Sequence, residues 1–174
     1  MRKITTQTIY FYEGETEKNL LRALISKEHI SHGKLKKFNL WEKDIKKLFR
    51  TFQTTDKLRF IIDTDIMSPK ETFVKNIHRL KTYHFHLIIQ NKNLEDELRT
   101  SCNKSSDTKL FRDFYQIQNK SEFKSRFAQD KALQKTLSAQ DFDFSKLWTN
   151  ISDFNDFCES NNIQPPVWKH GTPE

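Results

Sequence analysis

Thr8-Ile9-Tyr10-Phe11-Tyr12-Glu13-Gly14-Glu15-Thr16-Glu17 is the stretch that decides the fold. Five β-branched or aromatic residues in a row favour a buried strand. Glu13 and Gly14 follow at once, and Gly14 predicts a turn. Thr16 predicts an N-cap, and Leu20, Leu21, Leu24 and Ile25 carry a helical stripe to about His29. A second stretch has the same order of parts. Leu58 to Asp63 reads as a strand, and Arg59-Phe60-Ile61-Ile62-Asp63-Thr64-Asp65 ends it in two acids. Ser68-Pro69 then opens a helix over 70–82, with Phe73, Val74, Ile77 and Leu80 on one face.

Outward from these two stretches, 35–40 reads as a short strand and Phe85 to Ile89 as another. Residues 42–53 read as a helix with Ile45, Leu48, Phe49 and Phe52 inward. The order β-α-β-α-β-α-β predicts an α/β fold, a Rossmann-like parallel sheet of about four strands with flanking helices. Beyond Gln90 the pattern is helical, over 93–101, 108–117, 121–137 and 152–161. Pro165-Pro166 ends the last helix, and a loose tail to Glu174 is expected. The expected organisation is an α/β core over 1–98 and a helical extension over 99–174 packed on the same domain. Repeats, low-complexity tracts and long linkers are absent from the sequence.

The 174 residues suffice for one ordinary domain. Hydrophobic residues are only 35 %, but 15 Phe and 3 Trp each bury a large area, so a core is feasible. The net charge of +7 suits a polyanionic partner without demanding one. From Gly33 to Arg59 nine Lys or Arg face three acids, whereas from Asp141 to Glu174 six acids face two Lys. The positive field is therefore regional. Cys102 and Cys158 are far apart and lack metal-site spacing, which argues against zinc and for a reducing compartment. No apolar run nears the ~18–20 residues of a membrane span, and Met1-Arg2-Lys3 leads into no signal-peptide core. A cytoplasmic protein with no membrane partner is expected.

In parallel α/β sheets the functional crevice lies beyond the carboxyl ends of the strands. Glu13 ends the first strand and Asp63 the third, so both belong to that edge. Asp63 and Asp65 share a face if Thr64 stays extended. Carboxylates gathered at one edge raise each other's pKa unless a cation neutralises them. Oxygen-only donors select Mg²⁺ or Mn²⁺ over zinc. The competing explanation is local: acids after a strand often cap the next helix, and Asp65 or Ser68 is placed to do so. The two motifs together, in this order, favour the metal.

The strand–Glu13-Gly14-x-Thr16-Glu17–helix segment followed by a strand ending in Asp63-x-Asp65 resembles the Toprim superfamily over roughly 7–98. That superfamily holds topoisomerases, bacterial primases, small maturation nucleases and the nuclease domains of overcoming-lysogenization-defect (OLD) type. The form here is most similar to OLD-type and RloB-like proteins, many associated with phage defence. The resemblance implies that Glu13 is a metal ligand or general acid/base and that Asp63 and Asp65 are metal ligands. It implies a further acid at Glu17, one turn into the helix. It also implies a ligand near Glu95, with Asp96 and Glu97 as alternatives; an acidic first helical turn also arises without function.

Other candidates carry less. His84 and His86 alternate on a strand, as metal ligands do, yet half-buried structural histidines have the same pattern. GxSxG, GxGxxG and the phosphate-loop motif are absent, which excludes those hydrolases and nucleotide sites. Lys43, Lys46, Lys47 and Arg50 read mainly as a solvated helix face. Lys124 and Arg126 are candidates for the cation that phosphoryl transfer needs beyond its metal, with Lys124 the catalytic choice. The expected function is a Mg²⁺- or Mn²⁺-dependent nuclease on DNA or RNA. The alternatives are an effector working through a protein partner, such as a defence-system ATPase, and a nucleic-acid-binding module without chemistry. Topoisomerase and primase activities are not expected, because their additional domains have no counterpart in the sequence.

Overall fold

Ile9 and Phe11 face one side of the first strand and Tyr10 and Tyr12 the other, and all four are buried. A strand buried on both faces needs cover on both, so the sheet is the middle of three layers. The structure, a computed structural model, describes residues 6–171. Its strands are β1 (Thr8–Tyr12), β2 (Lys34–Lys37), β3 (Lys57–Asp63) and β4 (His84–Gln90), all parallel, in spatial order β2-β1-β3-β4. The helices are α1 (Glu15–Ser26), α2 (Lys70–Leu80), α3 (Leu94–Ser101), α4 (Asp107–Tyr115), α5 (Lys120–Gln129), α6 (Leu133–Ala139) and α7 (Ser152–Ser160). This is the α/β fold with four parallel strands that the alternating pattern predicts.

One face of the sheet, with Tyr10, Tyr12, Ile61 and Ile88, packs against α1 and α3 to α6. The other, with Phe11, Phe60, Ile62 and Ile89, packs against α2 and α7. Phe11 and Phe60 are register partners, and their rings stack at 4.5 Å. Such a pair adds about 0.5–1.5 kcal/mol beyond its buried area. Residues before and after position 98 share both cores, so the C-terminal helices complete the same domain.

The connections place the site. From β1 the chain crosses by α1 on one face to β2. From β3 it crosses by α2 on the opposite face to β4. The two neighbouring strands β1 and β3 therefore send their connections apart, and a crevice opens at their carboxyl ends. This is the switch point at which open α/β sheets bind ligands.

Four local expectations change. The helix expected over 42–53 is a short 3-10 turn at Ile45–Leu48. Asn76, fully buried on α2, takes the Ile45 N–H at 3.0 Å and donates to the carbonyls of Leu40 and Lys43, competing with helical hydrogen bonds. The helix expected over 121–137 is two helices, broken where Asp130 turns extended and its carboxylate accepts from Ala132 N at 2.8 Å. Thr16 is the second helical residue, and Gly14 occupies the cap position. The tail is not loose at 165–168: Leu87 N donates to Pro166 O and Trp168 N to Leu87 O, both at 2.8 Å. Val167 thereby pairs with β4 and covers an otherwise bare sheet edge. The rest of that tail, 172–174, and the N-terminal 1–5 lie outside the described residues.

Candidate functional site

Glu13 leaves β1 directly and Asp63 is the last residue of the neighbouring β3, so backbone register alone brings them to one crevice. The side chain of Gln90, the register partner of Asp63 on β4, donates to the Asp63 carboxylate. Trp41 Nε1–H donates to the Asp63 carbonyl at 3.0 Å, and its ring stacks on Phe73 at 3.9 Å, which anchors the strand end. Asn39 holds Glu13. Its Oδ1 accepts from the N–H groups of Trp41 and Glu42, which fixes the side chain, and its Nδ2 donates to Glu13 Oε2 at 3.2 Å. Glu13 Oε1 is buried and has no hydrogen-bond partner among the described residues.

Glu17 is buried one turn into α1, where its Oε2 accepts from Thr16 Oγ1 at 3.1 Å. The carboxylate folds back over Gly14, and a Cβ there would stand 2.7 Å from Glu17 Oε2. Gly14 itself is extended (φ −126°), a conformation open to any residue. Its requirement is therefore space for Glu17 rather than the turn expected from sequence.

Thr64 and the turn after β4 place Asp65. Thr64 is buried, donating from Oγ1 to Gln90 O at 3.0 Å and accepting from Lys92 N at 2.8 Å. The Lys92 carbonyl accepts from both Thr64 N and Asp65 N at 2.9 Å. Asp63 lines the cleft, while Asp65 is exposed and outside its lining. Glu95 is buried at the start of α3, with Lys120 Nζ and Lys124 Nζ each 3.5 Å from its carboxylate. It stands as a counter-ion to two lysines, and it reaches the site through Lys124. Arg126 pairs with Glu122 at 4.0 Å, outside the cleft. His84 is exposed, and His86 Nδ1 is 2.9 Å from Arg59 Nη1, both near the amino end of β4 and away from the crevice.

The cleft measures ≈ 490 Å³ and is lined by Glu13, Gly14, Glu17, Asn39, Asp63 and Lys124 among others. Its electrostatics are frustrated. Burial, then Asp63, Glu17, Glu42 and Asp65, push Glu13 up to about 8. Burial, then Glu17, push Asp63 up to about 7, against the Gln90 hydrogen bond and with Asp65 and Glu95 adding to the rise. Among the described residues no three Asp, Glu, His or Cys side chains converge as a ready-made metal cage. The donor chemistry nevertheless fits a hard cation. The donors are all oxygens, one buried carboxylate oxygen is orphaned, and Glu13 and Asp63 are both destabilised by neighbouring acids. Repulsion keeps such carboxylates apart until a positive charge offsets it.

A clamp behind the crevice escaped the sequence reading. Glu97, 3 % exposed, accepts from Asn91 N and Trp148 N, each at 2.7 Å. One carboxylate thus ties the C-terminal segment to the turn after β4, and that turn holds Thr64 and Asp65 through Lys92. Asn39, Gln90 and Thr64 were missed as well. An Asn just past a strand marks a turn, but its long-range partner carries no local signal.

No helix among the described residues is long and apolar enough to cross a membrane. The chain matches no protein-family model, no curated protein and no solved structure, so any function must come from the geometry of its own residues.

Proposed function

We propose that this chain is a Toprim-like, divalent-metal-dependent nuclease that hydrolyses phosphodiester bonds of DNA or RNA, with phage defence in the cytoplasm as its setting. One observation carries the reading: Glu13 and Asp63, on adjacent parallel strands at the switch point, face one cleft and are each pushed up to about 8 and 7. Each acid has a single amide donor, Asn39 for Glu13 and Gln90 for Asp63, and no cation pairs with either among the described residues, which is fewer partners than a structural acid pair would carry. Glu13, Glu17 and Asp63 are the residues that would hold Mg²⁺ or Mn²⁺, and Asp65 and Glu95 are the further acids whose charge Asp63 already feels. When bound, the ion would neutralise phosphate oxygens and lower the pKa of water. Asn39 orients Glu13, and Gln90 orients Asp63. Lys124, on the cleft wall, supplies a positive charge to a phosphate entering between the acids.

A second reading, an effector engaged by a protein partner such as an ATPase, draws on Ile66. It is 70 % exposed, the one large hydrophobic side chain so placed among the described residues, and it directly follows Asp65. The deciding experiment is cleavage of a panel of DNA and RNA substrates by purified protein with Mg²⁺ or Mn²⁺, wild type beside Asp63→Ala. Loss of about 10³-fold or more in Asp63→Ala, with unchanged melting, is expected. Metal-dependent cleavage that survives in the variant sinks the assignment; wild-type cleavage that appears only with an added partner favours the second reading.

A further inference from the structure

A larger groove of ≈ 920 Å³ adjoins the acidic cleft and shares Ala128 with it. Its walls are α1 on one side and the end of α5 with the start of α6 on the other. Asn19 fixes their spacing by donating to Phe127 O at 2.8 Å and Asp130 O at 2.9 Å. Three exposed cations line it, Arg22, Lys131 and Lys135, and none pairs with an acid among the described residues. Asp130 is the one acid in the lining. Its carboxylate is already committed to Tyr115 OH at 2.9 Å, Thr136 Oγ1 at 2.6 Å and Ala132 N at 2.8 Å. The cations therefore set the field of the groove.

The neutral lining narrows the ligand. Gln129, Gln134 and Ser26 offer amides and a hydroxyl, and no aromatic ring among the described residues lines the groove. Without a ring there is no stacking platform for bases. What remains suits a repeating anion read without regard to sequence. We infer that the α1–α5–α6 groove carries the sugar–phosphate backbone of a polynucleotide strand and delivers it past Lys124 to the Glu13–Asp63 cleft. The direction of delivery rests on the nuclease reading; the binding does not. The basic run Lys46, Lys47 and Arg50 belongs to the other layer, since Ile45 beside it packs with α2 and α7. It serves as a charge-matched control.

The test is fluorescence anisotropy in EDTA with labelled oligothymidylate and oligouridylate over a salt series. Wild type is compared with R22E/K131E/K135E, its milder form R22Q/K131Q/K135Q, and the control K46E/K47E/R50E. The groove charge reversal is expected to weaken binding about tenfold or more and to flatten the slope of log K against log salt by about 2, at roughly 0.7 per lost phosphate contact. The neutralised form should move the same way by less, and the control should stay within about twofold of wild type. Similar affinity for both oligomers supports backbone recognition, and preference for one assigns the sugar the groove accepts. The inference is overturned if wild type binds neither oligomer, if both groove variants bind as wild type does, or if the control loses as much as the groove variant. Groove-dependent binding by a wild type that cleaves no substrate would overturn the nuclease reading alone. Cleavage unaffected by the groove variants would overturn the groove alone.

Discussion

Asp56 and Asp63 flank a single strand, one just before β3 and one at its last residue, and protein has opposite effects on them. Asp56 is 1 % exposed, yet its carboxylate accepts from Gln7 N, Gln7 Nε2 and Gln53 N. Burial pushes it up, but those donors outweigh burial and hold it below the ordinary carboxylate range. Asp63 has one side-chain donor, Gln90, and burial, then the charge of Glu17, with Asp65 and Glu95 adding, push it up to about 7. Burial raises both, and the number of opposing donors is what separates them. A buried acid supplied with N–H donors is part of the scaffold, whereas a half-buried acid with other acids near it is one that the proposed cation would relieve. The amino end of the strand is built for stability, and the carboxyl end is where the proposed metal reading is tested.

Replacing each acid by its neutral isostere tests this contrast most strongly. Asp56→Asn turns an acceptor of three donors into a group with one acceptor oxygen, which strands at least one buried N–H at a cost of about 1–3 kcal/mol. The melting temperature should fall by about 3–10 °C across pH 5 to 8. Asp63→Asn should do the reverse in EDTA. Glu13 and Asp63 have raised pKa values, so the folded state holds protons that the unfolded chain releases near pH 4. Their stability contribution is full below that pH and is lost as pH rises through about 7 to 8. Wild type should therefore melt progressively lower from pH 5 to 8, and Asp63→Asn should melt about 2–4 °C higher than wild type at pH 8. Mn²⁺ should rescue wild type at pH 8 and not the variant. A wild-type melting temperature that is flat over this range, read by differential scanning fluorimetry, removes the frustration on which the comparison rests.

Glu97 sits between the two cases. Burial pushes it up to about 7, although Asn91 N and Trp148 N both donate to it, and among the described residues no cation pairs with it. Its geometry is that of scaffold, but what it secures is the turn that grips Thr64 and Asp65. Glu97→Gln presents an NH₂ to one of two N–H donors and should loosen that turn. If Asp65 helps to hold the ion, Mn²⁺ affinity by isothermal titration calorimetry should fall about 10-fold, in the manner of a group behind the ligands. A loss of melting temperature with unchanged Mn²⁺ affinity would place Glu97 wholly with Asp56.

The contrast also marks what was legible in the sequence. The strands around Phe11 and Phe60 were readable because parallel strands buried on both faces are continuous apolar runs. Glu13 and Asp63 were readable because strand ends fix them to one edge. The break at Asp130 was not, since no Gly or Pro marks it and the carboxylate that accepts from Ala132 N there is held in place by Tyr115 OH from another helix. Nor was the 3-10 turn, which Asn76 imposes from 31 residues away. Asn39 and Gln90 were missed for the same reason: a local pattern records the residue, and its partner lies on another strand.

Gly14→Ala has the smallest expected effect and addresses the part of the site left most open, the status of Glu17. The backbone there accepts alanine, and the gain of about 0.4–1 kcal/mol from restricting the unfolded chain offsets what alanine loses as a helix cap. The new methyl would meet Glu17 Oε2 at 2.7 Å, and the carboxylate, at the end of a flexible side chain, must swing away. Removing it from the cleft relieves some of the charge on Glu13 and Asp63 and so favours the metal-free fold further. If Glu17 is a ligand, Mn²⁺ affinity should drop by about 3- to 10-fold while the metal-free protein melts no lower than wild type. If Glu17 only crowds the other two acids, Mn²⁺ binding should weaken less than in Glu97→Gln. In that case the site shrinks to the pair on the two central strands, which is as many acids as the strand ends alone can bring together.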